Sequence, residues 1–435
     1  MNNDFNLDKF KNLIEYKSGY TWSKDQELNS PENGSIRVLT VTNIQKELDL
    51  SSKLYLKNVS ENDKERKAVS KDWTIAVSSN GNRKRIGNAV YIYENTEYLF
   101  ASFLTGFKPK ENSGILPNYF SYWMKSHPVQ ERITSISEGT TGLGNLDIRY
   151  LRNMEIEYPD RSEQRAIASV LSKVDDAITA TKNTIAKAER LKKALMQNLL
   201  TGRLKPDGTR RTDDEFYVDE KFGKVPMGWE VRPIKSNEVC KINPTYEYQN
   251  GNGFPFVPME AMNEQFKGIE YFNSKVVESS SGLTRFKNGD ILFAKITPCT
   301  ENGKATIVES LESDLGFAST EFIVFSPSEN IDGLFLFYRM INTDSRNLMV
   351  SLMEGTTGRQ RIPSNIFKRR VLISYPENKD EQVEIIQPLI KIDSSIKEKE
   401  QKIQKLECLK KALMQDLLTG KKRLKAGYIQ GFVNG

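Results

Sequence analysis

One histidine and three cysteines serve a chain of 435 residues, and their scarcity excludes several kinds of chemistry. His127 has no second histidine and no nearby cysteine with which to bind a metal, and Pro128 follows it beside an amphipathic stretch, so it is expected to be structural or on the surface. Cys240, Cys299 and Cys408 lie far apart with no C-x-x-C pair, which gives no zinc cluster and no disulfide framework and makes a reducing cytoplasm the expected location. The longest apolar run, Leu334–Tyr338, is far short of the roughly 20 residues a bilayer span needs. The polar start, Met1–Asp8, lacks the apolar core of a signal peptide.

Catalytic signatures are missing as well. There is no Walker A sequence, no glycine-rich phosphate loop after a strand and no G-x-S-x-G elbow. Asn243-Pro244 is followed by Thr245 rather than by the second proline of the Asn-Pro-Pro-Tyr motif of amino-methyltransferases. Carboxylate–lysine spacings such as Glu400-Gln-Lys402 fall on helical sequence, where pairing within the helix explains them. What is present is an ordinary globular composition, 38% hydrophobic and 28% charged, in a length that suggests two or three domains. Lysine and arginine exceed aspartate and glutamate by 63 to 57, a surplus that permits a polyanionic partner without requiring one.

The chain repeats itself. Leu191-Lys-Lys-Ala-Leu-Met-Gln-Asn-Leu-Leu-Thr-Gly202 returns as Leu409-Lys-Lys-Ala-Leu-Met-Gln-Asp-Leu-Leu-Thr-Gly420 with one change. Glu138-Gly-Thr-Thr-Gly142 returns as Glu354-Gly-Thr-Thr-Gly358, Tyr158-Pro159 as Tyr375-Pro376 and Glu163-Gln164 as Glu381-Gln382. Phe100-Ala-Ser102 parallels Phe317-Ala-Ser319, and Asp72–Ala76 parallels Asp290–Ala294. All offsets lie between 216 and 218. The matched ends are nearly identical and the stretches between them have diverged.

The frame of each copy is a long helix. Apolar or small residues at Ile167, Leu171, Val174, Ile178, Thr181, Ile185, Ala188, Leu191, Leu195 and Leu199 follow the three-and-four spacing of a coiled-coil seam. So do Ile385, Leu389, Ile392, Ile396, Ile403, Leu406, Leu409, Leu413 and Leu417. Ser162 is the expected N-cap of the first helix, and Gly202 and Gly420 are natural stops. Each helix would run roughly 38 residues, or about 57 Å. Pro388 is expected to kink the second or delay its regular part. Matching length and register favour the two helices packing on each other, antiparallel, with the divergent modules related by a pseudo-two-fold axis.

The expected fold is therefore mixed α/β, two α+β modules in tandem joined by an antiparallel coiled coil. The domains read as 1–159 (first module), 160–205 (first helix), 206–225 (connector), 226–376 (second module), 377–422 (second helix) and 423–435 (tail). Strands are expected at Arg37–Val41, Trp73–Ser78 and Ala89–Tyr93, and at Asp290–Lys295, Ala305–Glu309 and Glu321–Phe325. One helix should follow in each module, near Pro117–Ser137 and Ile331–Met353. Pro226-Met-Gly-Trp229 marks the start of the second module.

Binding chemistry concentrates in loops. Asn80, Asn82, Arg83, Lys84 and Arg85 share a glycine-containing turn, and Asn and Arg are the side chains that read adenine and guanine edges bidentately. The corresponding stretch of the second copy carries Lys295, Thr297, Asn302 and Lys304. The two Gly-Thr-Thr-Gly loops offer Thr140, Thr141, Thr356 and Thr357, and Arg359 and Arg361 follow the second; hydroxyls, backbone N–H groups and guanidinium groups suit phosphate contacts. Each of these loops also has a plain structural explanation, a solvated hairpin tip or a turn that launches a strand.

Taken together, the Tyr-Pro, the Glu-Gln and the heptad helix ending in Leu-Leu-Thr-Gly, present twice around divergent modules, resemble the specificity subunit of type I restriction–modification systems over essentially the whole chain. The first module departs in starting at Phe5-Asn-Leu-Asp-Lys-Phe10, without the Pro-x-Gly-Trp opening of the second. The resemblance implies one recognition domain per half of a bipartite double-stranded DNA target, with the paired helices setting the spacing. It also implies docking of two methyltransferase subunits that carry S-adenosylmethionine and methylate adenine N6, and of restriction (translocase–nuclease) subunits, with ATP and Mg on the partners and no cofactor or catalytic residue on this chain. The rival expectations are a catalytic nuclease or methyltransferase and a non-catalytic coiled-coil scaffold joining two protein-binding modules. Residues 163–205 and 380–425 carry net charges of +5 and +3, which leaves −2 for the rest. Any DNA contact by the modules must then rest on local patches.

Overall fold

The computed structural model describes residues 5–136, 144–249, 253–266, 268–269, 272–276, 282–356 and 358–432. By internal contacts the chain divides into two units, residues 1–182 with 401–435, and residues 183–400. The division falls inside the long helices and not at their ends.

In the first unit one antiparallel sheet orders Ile14–Ser18, Leu104–Pro109, Thr74–Val77 and Ala89–Tyr91. A second orders Glu27–Leu28, Tyr55–Leu56, Ile36–Leu39 and Leu99–Phe100, its last pair parallel. Asn6–Lys9 pairs with Glu155–Tyr158, which brings the two ends of the module together.

The second unit repeats this plan. Cys240–Ile242, Phe322–Pro327, Ile291–Ala294 and Ala305–Ile307 form an antiparallel sheet, and Trp229–Pro233 pairs with Leu372–Pro376. The other sheet orders Asn273–Val276, Gly253–Val257, Gly316–Ser319 and Leu283–Phe286, with the middle pair parallel. Thr74–Val77 and Ile291–Ala294 are each buried at all four positions, which explains why neither alternates polar with apolar residues: the second is apolar throughout and the first after Thr74.

The single helix expected in each module is two. They are Pro117–Lys125 and His127–Ile136 in the first, Gly333–Ile341 and Thr343–Ser351 in the second. Pro128, which has no N–H to donate, sits in the first turn of a new helix, and Asn342 breaks the other by accepting from the Asp344 N–H at 3.0 Å.

The long helices are Arg161–Leu199 and Lys379–Leu418, 39 and 40 residues. The first is capped by Asp160 and not by Ser162: the Asp160 carboxylate accepts from the Glu163 N–H at 2.9 Å and from the Ser162 hydroxyl at 2.5 Å. Pro388 lies in the second helix without delaying it, since the helix begins at Lys379. Both stops are as expected, with Gly202 and Gly420 at φ +68°. In the first unit Ile167 and Leu171 share a core with Met414, Leu417 and Leu418; in the second, Met196, Leu199 and Leu200 share one with Ile385, Ile386 and Leu389. Early turns of one helix thus meet late turns of the other in each unit, the antiparallel arrangement.

The repeated motifs have repeated jobs. Gln164 is fully buried, accepts from the Leu116 N–H at 2.8 Å, and donates to the carbonyls of Gly114 and Pro159 at 2.9 and 2.8 Å. Gln382 does the same with the Asp332 N–H and the carbonyls of Asn330 and Pro376. Glu381 takes Arg211 at 2.7 Å and the Trp229 indole N–H at 3.1 Å, while Glu163 takes Arg423. Arg211 stacks over Trp229, and Arg423 over Phe5, each with its guanidinium 5.7 Å from the ring centroid. Phe5 therefore stands where the second module has Trp229, and the missing Pro-x-Gly-Trp opening leaves the packing plan intact. The connector is not structureless: Phe216–Asp219 and Gly223–Pro226 form a hairpin, and Val225 is buried in the second unit's core. The tail carries a short helix, Ala426–Gln430.

Candidate nucleic-acid interface

In the first unit the Asn80–Arg85 turn joins Thr74–Val77 to Ala89–Tyr91. Its base is held by two distant segments. The Leu146 N–H donates to the Ser78 carbonyl at 2.7 Å, and Asn80 pairs with Gly144. The Ser78 and Ser79 N–H groups donate to the Phe103 carbonyl at 2.9 and 3.2 Å. The second unit has the same junction. The Ile362 N–H donates to the Lys295 carbonyl at 2.8 Å, the Thr297 N–H to that of Gln360 at 3.0 Å, and the Lys295 N–H to that of Glu321 at 2.9 Å. In each unit the hairpin turn and the segment following the Gly-Thr-Thr-Gly sequence, some 65 residues apart, are thus brought to one edge.

The individual side chains sort into two groups. Arg83 and Lys84 are exposed on a short 3-10 turn, which Asn82 caps by accepting from the Lys84 N–H at 3.1 Å, and Asn80 accepts from the Asn82 N–H at 2.8 Å. Thr356 and Arg359 are exposed on a two-stranded hairpin, Glu354–Thr356 against Arg359–Arg361. Arg85 is half-buried and donates to the Val41 and Ile44 carbonyls at 2.8 and 3.2 Å. Lys304 donates to the Met259 carbonyl at 3.0 Å, Asn302 to Glu264 at 2.8 Å, and the Thr297 hydroxyl to Glu301 at 3.0 Å. Arg361 is gripped by both oxygens of Glu321, with the closest approach 2.7 Å, and this pairing holds the Glu321 carboxyl below the usual glutamate range. Lys295 is half-buried at the junction. Thr140, Thr141 and Thr357 lie outside the described residues.

Two residues at the junction were not singled out by sequence. Phe103 is 52% exposed although its backbone anchors the turn, and Glu321 occupies the matching place in the second unit. Both come just after the repeated Phe-Ala-Ser, a signal that could have found them. An exposed phenyl group beside a basic turn suits the methyl group of thymine, whereas a carboxylate suits the cytosine amino group or, as here, an arginine. One scaffold position thus carries unlike chemistry in the two units. His127 is exposed and its Nδ1 lies 3.2 Å from Glu131. Among the described residues no group of three or more His, Cys, Asp or Glu is arranged to hold a metal ion, and no helix is long and apolar enough to cross a membrane.

Comparison with known proteins gives this arrangement its family. The type I restriction enzyme EcoEI specificity subunit of Escherichia coli is 36% identical over 173 residues, 39% of this chain and 28% of that one. The match to the Escherichia coli EcoAI specificity subunit takes in 29% of that protein, so under a third of either relative is covered. The putative type I restriction enzyme MjaX specificity subunit of Methanocaldococcus jannaschii is 26% identical over 365 residues, 81% of this chain and 79% of its own. In fold, the chain is like the crystal structure of the S subunit of a type I restriction–modification system from M. genitalium, with a TM-score of 0.53, 14% identity and 96% of each chain covered. A model of the type I restriction modification DNA specificity domain matches residues 2–190 and again 226–408. Those two matches follow the spacing of the internal repeat and take in most of the sequence, so the chain belongs to the type I restriction–modification DNA specificity family.

Proposed function

We propose that this chain is the DNA-recognition subunit of a type I restriction–modification complex, each unit reading one half of a bipartite double-stranded target. The observation that carries this is the junction: both units build the same three-segment edge, with equivalent backbone bonds, and dress it with different side chains. A constant scaffold with variable chemistry at its tip is what a pair of half-site readers needs.

The long helices fix the distance between the half-sites and dock two methyltransferase subunits, through which restriction subunits join. The chain is not itself an enzyme; S-adenosylmethionine, ATP and Mg belong to the partners. The complex works on DNA in the cytoplasm, in keeping with free thiols at Cys240, Cys299 and Cys408.

Mapping methylated adenines in DNA treated with the assembled complex tests this. A bipartite motif with a fixed gap, one half of which changes when the first module (1–159) is replaced, is the expected result. Methylation that ignores the identity of the modules would favour the scaffold alternative, in which they bind proteins. Methylation or cleavage by the pure chain with S-adenosylmethionine and magnesium would establish the enzyme alternative.

A further inference from the structure

Each unit contains a three-way polar cluster that the repeat motifs alone do not reveal. In the first, Asp175 Oδ2 accepts from the Tyr122 hydroxyl at 2.9 Å, and its Oδ1 lies 2.5 Å from Lys410 Nζ. In the second, Asp393 Oδ2 accepts from the Tyr338 hydroxyl at 2.6 Å, and its Oδ1 lies 2.6 Å from Lys192 Nζ. The lysine also stacks on the tyrosine in both, with Nζ 5.7 Å and 5.3 Å from the ring centroid.

The parts exchange between the units. Tyrosine comes from the module each time. The first long helix supplies aspartate to one cluster and lysine to the other, and the second long helix does the reverse. Both aspartates are the fifteenth residue of their helix and both lysines the thirty-second. The tyrosine-bearing helices, Pro117–Lys125 and Gly333–Ile341, differ at most other positions, so the cluster survives divergence around it.

Module and helices share an apolar core in each unit, but beside it they do not meet everywhere. In the first unit a cleft of about 510 Å³ separates Gly87–Ala89, just beyond the Asn80–Arg85 turn, from Asp175 and Lys410. In the second a cleft of about 890 Å³ lies between Thr306, at the end of the Lys295–Lys304 loop, and Lys192 and Asp393. A side chain bound on two oxygens by donors from two other elements is directional where apolar contact is not. Both tyrosine rings are almost fully buried, so the hydroxyl has no solvent alternative at hand.

We propose that Tyr122–Asp175–Lys410 and Tyr338–Asp393–Lys192 are positioning clamps that fix the angle of each reading module on the helices and so set how strictly the complex selects the gap between half-sites. The inference rests on the proposed DNA-reading function. The six residues are positioning residues; none is placed to touch DNA.

The test uses the full chain assembled with its methyltransferase subunits and duplexes carrying the mapped target with its native gap, or with one base pair more or fewer. Tyr122→Phe and Tyr338→Phe keep the buried rings and remove the hydroxyls, and Lys192→Met and Lys410→Met remove the charge. The preference for the native gap is expected to fall about tenfold in each variant, with the half-site sequences unchanged. Lys192→Arg and Lys410→Arg should restore it. A structural role alone would lower the melting temperature and leave the gap preference as it was, and that result overturns the proposal. If the unaltered complex shows no gap-dependent binding at all, it is the DNA-reading function that fails.

Discussion

The Gln382 amide donates to the Pro376 carbonyl at 2.8 Å, closing the turn that leads from the last strand of the second module into its long helix. Gln164 and Pro159 repeat it at 2.8 Å in the first unit. Either glutamine replaced by leucine would strand three backbone groups in a dry site, at a cost of about 1–3 kcal/mol for each group left without a partner. Urea unfolding should show that loss. Hydrogen exchange should quicken in the first turn of the affected helix and in the module helix beginning at Pro117 or Gly333.

Gly202 and Gly420 share φ +68° but not their surroundings. A Cβ on Gly202 would lie 2.2 Å from Pro226 Cγ, a ring with nowhere to swing, while on Gly420 it would meet the edge of Phe5 at 3.1 Å. Alanine at either costs about 1–2 kcal/mol for the left-handed backbone. Gly202→Ala should cost more than Gly420→Ala when their melting temperatures are compared.

The cations of the candidate interface should separate by assay. Lys84→Ala and Arg359→Ala remove exposed charge, and a lost phosphate contact should lower the slope of log affinity against log salt by about one without changing the target. Arg85→Ala and Lys304→Ala instead remove a side-chain donor from the carbonyls of Val41, Ile44 and Met259. Their first effect should be lower stability of the module, visible in thermal unfolding without DNA.

Glu321 gives a pH signature. Its hydrogen bonds to Arg361 depress the folded carboxyl below the ordinary value of 4.5, so the pairing contributes fully above that pH and is lost as pH falls through the depressed value. The difference in urea midpoint between the unaltered chain and Glu321→Gln should be widest near neutrality. It should close as the pH drops below about 4.5.

Inserting or deleting seven residues in both long helices keeps each seam in register while changing its length. Methylation mapping should then report a changed gap and unchanged half-sites. The same gap in both proteins would rule out the helices as the measure of spacing.

Much of this was legible where the physics is local. Heptad spacing gave both long helices, and the glycine stops needed only the Thr-Gly at each end. Buried strands such as Ile291–Ala294 announced themselves as apolar runs. What sequence does not carry lies where a distant or competing group decides. Asp160 outranks Ser162 as a cap because its carboxylate takes both the Glu163 N–H and the Ser162 hydroxyl, so the helix starts two residues earlier. Arg85 and Lys304 look like reading residues in sequence, but their nitrogens are engaged by carbonyls 41 to 45 residues away. Phe103 escaped notice because an isolated phenylalanine in a strand-rich stretch usually enters the core; only the turn between Leu99–Phe100 and Leu104–Pro109 brings it out.

The two units also differ in how they are cut from the chain. Residues 183–400 are continuous, so the second unit holds everything it needs once residue 400 has left the ribosome. The first unit waits for Met414, Leu417 and Leu418, which complete the core begun by Phe10 and Leu13. Its closure spans some 400 residues and comes last, although its module is synthesised first. A nascent chain stalled with residue 400 emerged and Met414–Leu418 still inside the ribosome should present a finished second unit and a first module whose Ile167 and Leu171 lack their cover from the second helix.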